Sequence, residues 1–347
     1  MKFLLYGANG YTAQLILRMY KDFGITPVIG GRSAEKVKSL AAQYNLDYRV
    51  FGLENAAEIQ ANIKEFQVVL NCAGPFSKTG RPMIEACITQ KVHYLDITGE
   101  IHIFERCHKL NEKAKNAGIM LMPGVGFDVV PTDCASAMAK EKMPDATHLK
   151  IAFASIGGTM SHGTSNTMAE GMGLPGARRE NGKIVTIPLG KNSMNVPFVS
   201  KDIFCMSIPW GDVSTAFYST GIPNIETFTQ SSPKTFNRLK YQQYYNWFLR
   251  LGFVRRYALN QIAKKPTGPS DARREKASMN VWVEATNAAK ESVVVKLVVK
   301  EGYTFTALSA LTCVKKVLEG NFITGFQTPS NAYSAQLVME IEGSELH

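Results

Sequence analysis

The sequence lacks the residue patterns that metal centres and hydrolases require. Its six cysteines include no pair at CxxC spacing, and it contains no HExxH motif, no carboxylate-rich metal loop and no recognisable Ser/His/Asp triad. We therefore predict no metal site and no disulfide framework. Cysteines scattered in this way are typical of proteins in a reducing compartment.

Long hydrophobic runs are absent as well. The apolar stretch at 119–130 is broken by Pro123, Gly124 and Gly126, and the stretch at 3–6 runs directly into a glycine turn. The first is too short and interrupted to cross a bilayer, and the second is too short for a secretory signal. We expect a cytoplasmic protein.

What the chain does contain is a change of pattern near residue 130. Before it, short β-rich runs alternate with helical patterns, and 101–116 is predicted as one long helix. This alternation predicts an α/β fold with an N-terminal Rossmann domain, a doubly wound parallel sheet over 1–130. After it, longer alternating runs, 214–220 among them, predict a second α+β domain with a mainly antiparallel sheet over 131–302.

A glycine turn separates the first predicted strand from the first helix. Gly7, Gly10 and Ala13 form a GxxGxxA pattern. Glycine lets the backbone approach a pyrophosphate, and the helix N-terminus offers N–H groups to the anion. The pattern also suits a plain turn, but its position at the start of a βαβ unit favours nucleotide binding.

The end of the second predicted strand indicates which nucleotide. NAD-binding domains place Asp or Glu there, whereas this chain has Arg32 and Ser33, with Lys36 one helical turn later. A carboxylate would repel a 2′-phosphate, while Arg32 can bind one through charge-assisted hydrogen bonds. NADP is therefore predicted over NAD, although Arg32 and Lys36 are also compatible with an ordinary exposed start of a helix.

Two further loops follow predicted strands. In open parallel sheets, ligands bind outside the carboxyl ends of the strands. We therefore expect cofactor contacts along the ribose and nicotinamide, with ordinary strand-to-helix loops as the alternative. The residues concerned are Asn71, Ala73, Gly74 and Pro75 after the fourth strand, and Thr98 and Gly99 after the fifth.

Five ordered segments resemble the saccharopine dehydrogenase-like family of NADP-binding oxidoreductases, in the branch that includes trans-acting enoyl reductases. They read YGANGYTA, GGRSAEKVKSL, NCAGPFSKTGRPMIEACI, VHYLDITGE and PGVGFDVVPTD. The resemblance implies a Rossmann domain, a second α+β domain and a C-terminal segment, 303–347, that packs back toward the first domain. It implies NADP (NADPH) as cofactor, and by matching position it assigns contacts to Gly7, Asn9, Gly10, Tyr11, Thr12, Arg32, Ser33, Ala73, Gly74 and Pro75.

Hydride transfer also needs a proton source near the substrate. The candidates are Asp128, after the sixth predicted strand, and His162, in a glycine-rich stretch of the second domain. Asp128 could instead cap the helix that Pro131 begins, and a single loop histidine is often structural or solvated. Glu100 is interpreted as a first-turn helix residue, favoured there by the helix dipole.

Basic residues concentrate between positions 234 and 265. This segment contains eight cations and no acidic residue, while the whole chain has a net charge of +10. Aromatic and apolar residues, including Tyr241, Tyr245 and Phe248, recur there at helical spacing. The pattern suits a helix on an anionic membrane surface or beside a long acyl substrate, and equally a core helix or a homodimer face. No nucleic-acid-binding module accompanies it, so no nucleic-acid partner is expected.

Three functional hypotheses follow. The leading one is an NADP-dependent oxidoreductase that reduces a C=C or C=O bond of a hydrophobic or acyl substrate, carrier-bound substrates included. The alternatives are a non-catalytic NADP-binding sensor or scaffold, and a peripheral membrane protein with a vestigial cofactor site. A homodimer is expected.

Overall fold

The computed structural model describes residues 2–239, 241–264 and 266–347. The chain folds as two units, one formed by Met1–Val130 and Tyr303–Ala332, the other by Pro131–Gly302 and Tyr333–His347. The C-terminal segment predicted as one piece at 303–347 is therefore divided between the two units.

The N-terminal part alternates strands and helices. Its strands are short and its helices amphipathic, the pattern expected of parallel strands joined by crossover helices. The elements are β1 (Lys2–Tyr6), α1 (Tyr11–Met19), β2 (Thr26–Gly31), α2 (Ala34–Tyr44), β3 (Tyr48–Val50), α3 (Ala56–Ile63), β4 (Val68–Asn71), α4 (Phe76–Gln90), β5 (His93–Asp96), α5 (Ile101–Lys109), α6 (Asn111–Ala117) and β6 (Met120–Met122).

The middle of the chain has longer strands and short helices. The elements are α7 (Val130–Lys142), β7 (His148–Ile156), α8 (His162–Glu170), β8 (Gly176–Glu180), β9 (Lys183–Ile187), β10 (Ser193–Pro197), β11 (Asp202–Ile208), α9 (Asp212–Thr220), β12 (Asn224–Gln230), α10 (Pro233–Leu239), α11 (Asn246–Leu249), α12 (Gly252–Ala263), α13 (Asp271–Glu275), β13 (Ser278–Thr286) and β14 (Ser292–Lys300). The C-terminal part adds α14 (Gly302–Leu318), β15 (Gly325–Phe326), α15 (Pro329–Tyr333) and β16 (Glu345–Leu346).

The first unit contains a parallel sheet of seven strands in the order β15-β6-β5-β4-β1-β2-β3. Strand β1 lies between β2 and β4, so the winding direction of the chain reverses at β1. Its last residue, Tyr6, is in register with Gly30 on one side and Asn71 on the other. The loops that follow these three strands therefore emerge together, at the switch point where ligands bind in open α/β sheets.

The second unit contains a mixed sheet in the order β10-β11-β12-β7-β13-β14-β16, with a hairpin of β8 and β9 attached through β12. Only β7 and β12 pair in parallel along this path, and the other neighbours are antiparallel. Trp282, Phe228 and Phe198 form part of its core. The predicted fold class, a Rossmann sheet followed by a mainly antiparallel α+β sheet, is confirmed.

Some predicted elements were wrong. The run at 214–220 is not a strand, because α9 covers it between Gly211 at the N-cap and Gly221, whose φ of 71° forms a left-handed C-cap. Its β-branched and aromatic residues favour strands, but burial of Val213, Thr215 and Ala216 stabilises the helix instead. The predicted helix 101–116 is two helices, α5 and α6, which meet at Leu110.

The basic segment is not one continuous helix. The structure divides it into α10, a 3₁₀ turn at Gln242–Tyr244, α11 and α12. Lys240 and Lys265 lie outside the described residues. Within the part of the chain that the structure describes, no helix has both the length and the apolar character to cross a membrane.

Candidate functional site

The first loop at the switch point is the tight turn that follows β1. Gly10 N–H donates to the Gly7 carbonyl over 2.9 Å, and the N–H groups of Gly7 and Ala8 both donate to the carbonyl of Gly30. Gly7 has φ 81°, and a Cβ added there would lie 2.6 Å from the backbone nitrogen of Ala73. The left-handed conformation and this close approach both require glycine.

The N-terminus of α1 follows this turn. Gly10, the N-cap residue, has an extended backbone and no side chain that could occupy the helix end, and the first turn contains no acidic residue. The N–H groups and partial positive charge of this helix end are thus directed to the edge where β1, β2 and β4 finish. Such an end favours a phosphate or pyrophosphate.

The loop after β2 supplies positive charge. Arg32 and Lys36 are exposed, Ser33 is the N-cap residue of α2, and the structure gives neither cation a salt bridge within its described residues. A Cβ on Gly31 would lie 3.8 Å from Oδ1 of Asn9, which places the Asn9 side chain beside the end of β2. No carboxylate ends this strand, so its charge fits a 2′-phosphate.

The loop after β4 is supported from below by Asn71. This side chain is fully buried. Its Oδ1 accepts from the Ala73 N–H over 3.1 Å, and its Nδ2 donates to the Tyr94 hydroxyl over 3.3 Å. The Asn71 side chain therefore holds the loop in place. The backbone of Gly74, beside the cis peptide bond to Pro75, is the exposed part of this loop.

Thr98 is buried as well. Its hydroxyl accepts from the Glu100 N–H over 3.0 Å, and its own N–H donates to Asp96. Its side chain therefore shapes the loop after β5 in the same way that Asn71 shapes the preceding loop. Gly99 is the more accessible of this predicted pair.

Asp96 connects two of the loops, and the sequence reasoning did not select it. The carboxylate is fully buried; Oδ1 accepts from the N–H groups of Thr98 and Gly124, and Oδ2 accepts from the Tyr94 hydroxyl over 2.7 Å. Burial raises its pKa to about 7, against the opposing effect of these hydrogen bonds. The sequence signal that could have identified Asp96 is a carboxylate at the end of an apolar strand, as in VHYLD.

Glu100 closes the N-terminus of α4. Its carboxylate accepts from the backbone N–H of Phe76 over 2.8 Å and from that of Ser77 over 2.9 Å. The residue itself is the N-cap of α5, not a member of its first turn as predicted. The α4 end is thus neutralised by the protein's own carboxylate, whereas the α1 end has no such group in its sequence.

Asp128 lies against the loop after β5. A Cβ on Gly99 would approach Oδ2 of Asp128 to 2.9 Å, so any larger residue at Gly99 would displace this carboxylate. Burial, and secondly the charge of Glu100, raise the Asp128 pKa to about 7. Asp128 can therefore exchange a proton near neutral pH.

His162 lies in the second unit. It is the first residue of α8, whose N-cap Ser161 accepts from the Thr164 N–H over 3.3 Å. The His162 N–H donates to the carbonyl of Thr267 over 2.9 Å, and the residue is partly buried. Its own unit also contains a cleft of about 490 Å³, lined by polar residues that include Ser155, Lys201 and Gln230.

The first unit thus brings together most of the predicted cofactor residues. A glycine cradle, an open helix end and exposed cations lie on neighbouring loops of a parallel sheet, which define a Rossmann dinucleotide-binding domain. Among the described residues, no group of histidine, cysteine and carboxylate side chains could hold a metal ion.

Comparison with known proteins finds one family whose model matches the first unit. Residues 3–122 match the family model described as the saccharopine dehydrogenase NADP binding domain. The resemblance found in the sequence is therefore confirmed over these residues of the first unit. The predicted cofactor, NADP, agrees with this match.

Two curated relatives are similar to part of this chain. The human saccharopine dehydrogenase-like oxidoreductase is 28% identical over 160 residues, which are 40% of this chain and 37% of that protein. The trans-acting enoyl reductase of Mycobacterium bovis is 29% identical over 139 residues, 38% of this chain and 33% of that protein. The matched part is thus about a third of each relative's length.

A solved structure is similar over the whole chain. The apo saccharopine dehydrogenase (L-Glu forming) of Saccharomyces cerevisiae has a TM-score of 0.64 at 11% identity, covering 100% of this chain and 99% of that one. At this level of identity the likeness concerns the fold.

Proposed function

We propose that the protein is an NADP-dependent oxidoreductase that reduces a C=C or C=O bond of a hydrophobic or acyl substrate. The observation that carries the proposal is the switch point of the first unit, where the Gly7 cradle and the open end of α1 lie beside Arg32 with no acidic residue ending β2. The names of the curated relatives support the reaction class.

The residues at this edge fit the cofactor. A Cβ would fill the space at Gly7, and the cations after β2 are exposed, so both a pyrophosphate and a 2′-phosphate have a place. We assign the pyrophosphate to Gly7, Asn9, Gly10, Tyr11 and Thr12, the 2′-phosphate to Arg32, Ser33 and Lys36, and the ribose and nicotinamide side to Ala73, Gly74, Pro75 and Gly99. The bound nicotinamide supplies the hydride for the reduction.

The protein's own contribution to the chemistry is a proton and a fixed geometry. Asp128 is assigned as the proton donor, because its pKa of about 7 keeps a large protonated fraction at neutral pH. Asp96 accepts hydrogen bonds from the N–H groups of Thr98 and Gly124, and so holds in place the loops that follow β5 and β6. Asn71 and Thr98 act as positioning residues for the loops that contain them.

The substrate is the finer part of the proposal. A relative named as a trans-acting enoyl reductase supports an α,β-unsaturated acyl group carried by another molecule. The net charge of +10 is compatible with the phosphorylated carriers of acyl groups. His162 is kept as a second candidate for contact with the substrate, in the unit that we expect to bind it.

The cofactor assignment is tested by charge reversal at the end of β2. Arg32→Asp should weaken NADPH binding by roughly tenfold or more, because a carboxylate repels the 2′-phosphate, and should leave NADH binding unchanged or improved. Lys38→Asp, an exposed change of the same sign on α2, is the matched control. Fluorescence titration with both nucleotides gives the ratio, and an unchanged ratio in Arg32→Asp would contradict the assignment.

The reaction is tested separately by following NADPH oxidation with enoyl and ketoacyl thioesters of increasing chain length. Turnover that rises with chain length is expected. Tight NADPH binding with no turnover across this panel would instead favour a non-catalytic NADP-binding sensor or scaffold.

A further inference from the structure

Exposed aromatic side chains are concentrated in one part of the second unit. Of the 17 large hydrophobic residues that are exposed in the described chain, eight fall between positions 241 and 257. We call them the aromatic surface: Tyr241, Tyr244, Tyr245, Trp247, Phe248, Leu251, Phe253 and Tyr257. Scattered single residues of this kind are normal on proteins, but a concentration of them marks an interaction site.

The pattern of α12 explains why these side chains face outward. Val254, Ala258 and Ile262 recur at helical spacing and are only partly exposed. A separate stripe of the same helix carries Phe253 and Tyr257, which are 65% and 66% exposed. The helix therefore uses one apolar face for packing and presents a second aromatic face to the outside.

The surface is held by specific hydrogen bonds. Gln242 is buried and donates from Nε2 to Oδ1 of Asn246 over 3.2 Å, and Arg250 donates from Nε to the carbonyl of Gly173 over 2.9 Å. The Phe248 ring lies 5.9 Å from that of Trp247 and 6.1 Å from that of Phe253, both edge to face. The aromatic rings thus form one apolar cluster on a supported backbone.

The charge around the cluster has a single sign. From 227 to 270 the sequence contains no acidic residue, and it contains eight basic ones. The structure assigns Lys234, Arg256 and Lys264 no salt bridge within its described residues, and all three are exposed. An occupant of this surface must therefore be anionic as well as apolar.

We propose that the aromatic surface binds the surface of an anionic lipid membrane, with Trp247, Phe253 and Tyr257 in the interfacial layer and the surrounding cations at the lipid headgroups. Tryptophan and tyrosine prefer this layer, and each nearby Lys or Arg adds attraction to anionic lipid. The protein would lie on the membrane and not span it.

Charge argues against a second copy of the chain as the occupant. A two-fold symmetric contact through this surface would place its exposed cations, among them Lys234, Arg256 and Lys264, against the same cations of the other copy, and such like-charge contacts are costly. Single-stranded nucleic acid would need separate ring faces on which bases stack. Here the Phe248 ring meets its two neighbours edge to face within one cluster.

The experiment measures cosedimentation of the full chain with vesicles. Vesicles of equal parts phosphatidylcholine and phosphatidylglycerol should bind the protein, whereas vesicles of phosphatidylcholine alone should bind it roughly tenfold or more weakly. Arg256→Glu with Lys264→Glu should reduce binding to the anionic vesicles by a similar factor. Lys113→Glu, an exposed charge reversal in the first unit, should leave binding unchanged.

Insertion is measured with vesicles whose acyl chains carry bromine, which quenches tryptophan fluorescence at close range. Of the three tryptophans, Trp282 is buried, Trp210 is partly buried and Trp247 is 69% exposed, so quenching should come from Trp247 and should be lost in Trp247→Phe. Phe253→Ser should weaken binding, and Ile323→Ala, an exposed apolar residue of the first unit, serves as its control.

Three outcomes would overturn the proposal. They are equal sedimentation of the wild type and the charge-reversed variant, displacement of vesicles by single-stranded RNA with tighter RNA binding, and a dimer in light scattering that Phe253→Ser dissociates while vesicle binding persists. The proposal does not rest on the cofactor site, because NADPH titration reads the first unit independently.

Discussion

At the scale of single residues, two carboxyl groups with a raised pKa lie at the loops of the first unit that follow β5 and β6. Asp96 and Asp128 both have a pKa raised to about 7, with burial as the main cause. Their surroundings differ, because Asp96 accepts three hydrogen bonds from the protein and is fully buried, whereas Asp128 is only partly buried beside Gly99. We therefore assign positioning to Asp96 and proton transfer to Asp128.

The proton transfer makes a prediction about pH. The protonated fraction of Asp128 falls as the pH rises through about 7, so the rate of reduction should fall over the same range. Asp128→Asn, which cannot release a proton, should lower kcat by roughly 100-fold or more and remove this pH dependence. Asp22→Asn, an exposed change in the same unit, is the control for kcat measured across pH.

A different result would reassign the residue. If Asp128→Asn retained the full rate with the same pH profile, Asp128 would be a cap or packing residue of the turn before α7. The proton would then have to come from another group, and His162→Gln would be the next variant to measure.

Residue scale is also where reasoning from sequence was least complete. Asn71 ends β4 and Thr98 follows β5, as expected, and both were predicted to contact the cofactor, yet both side chains are fully buried. Whether a residue after a strand points to solvent or into the sheet depends on the path of its loop. Residue spacing alone does not determine that path.

At the scale of secondary-structure elements, the helix ends decide where an anion can bind. The α4 end is closed by the Glu100 carboxylate, while the α1 end begins with Gly10. We therefore expect a phosphate at the α1 end and not at the α4 end, although both helices start at the same sheet edge. The glycine spacing predicted the α1 end, but the cap joins Glu100 to residues 23 and 24 positions away and required the tertiary structure.

The cap predicts a change in stability. Glu100→Ala should lower the free energy of unfolding by about 1 kcal/mol, because the N–H groups of Phe76 and Ser77 lose their acceptor. Glu100→Gln keeps one acceptor oxygen and should cost less. Urea unfolding followed by circular dichroism measures both, and equal stability of all three proteins would contradict a capping role.

Glu100→Gln should also change the pKa of Asp128. The charge of Glu100 contributes to the raised pKa of Asp128, so Glu100→Gln should move the midpoint of the pH–rate profile to lower pH. A structural role alone would not move this midpoint.

At the scale of the whole molecule, the chain divides into a nucleotide-binding unit and a mixed-sheet unit. The C-terminal residues contribute elements to each of them. Residues 303–332 add α14 and β15 to the first unit, and β16 pairs with β14 in the second. The two-residue strand β15 was not predicted, because so short a run has no periodicity to detect.

Ligand binding should stabilise the molecule through the first unit. NADPH at about 100 times its Kd should add about 2.7 kcal/mol to the free energy of unfolding of the state that binds it, and so raise the apparent Tm. NADH at the same concentration should raise it less, because it lacks the 2′-phosphate that Arg32 and Lys36 are assigned to bind. Thermal unfolding followed by intrinsic fluorescence tests this, and equal shifts for both nucleotides would argue against NADP preference.

Most of the nucleotide-binding unit could be predicted from the sequence. Its signals are local: the glycine spacing at Gly7 and Gly10, the cations after β2 and the regular alternation of strands and helices each occupy a few consecutive residues. Local spacing of this kind survives folding, because backbone geometry follows from neighbouring residues.

The remaining features depend on how the chain packs. Packing paired Glu100 with α4, buried Asp96 between two loops, turned 214–220 into a helix and exposed the aromatic rings between 241 and 257. Each of these outcomes depends on burial and on contacts between residues far apart in the chain. Burial and distant contacts set hydrogen bonding, pKa and exposure, and they arise only once the whole chain has packed.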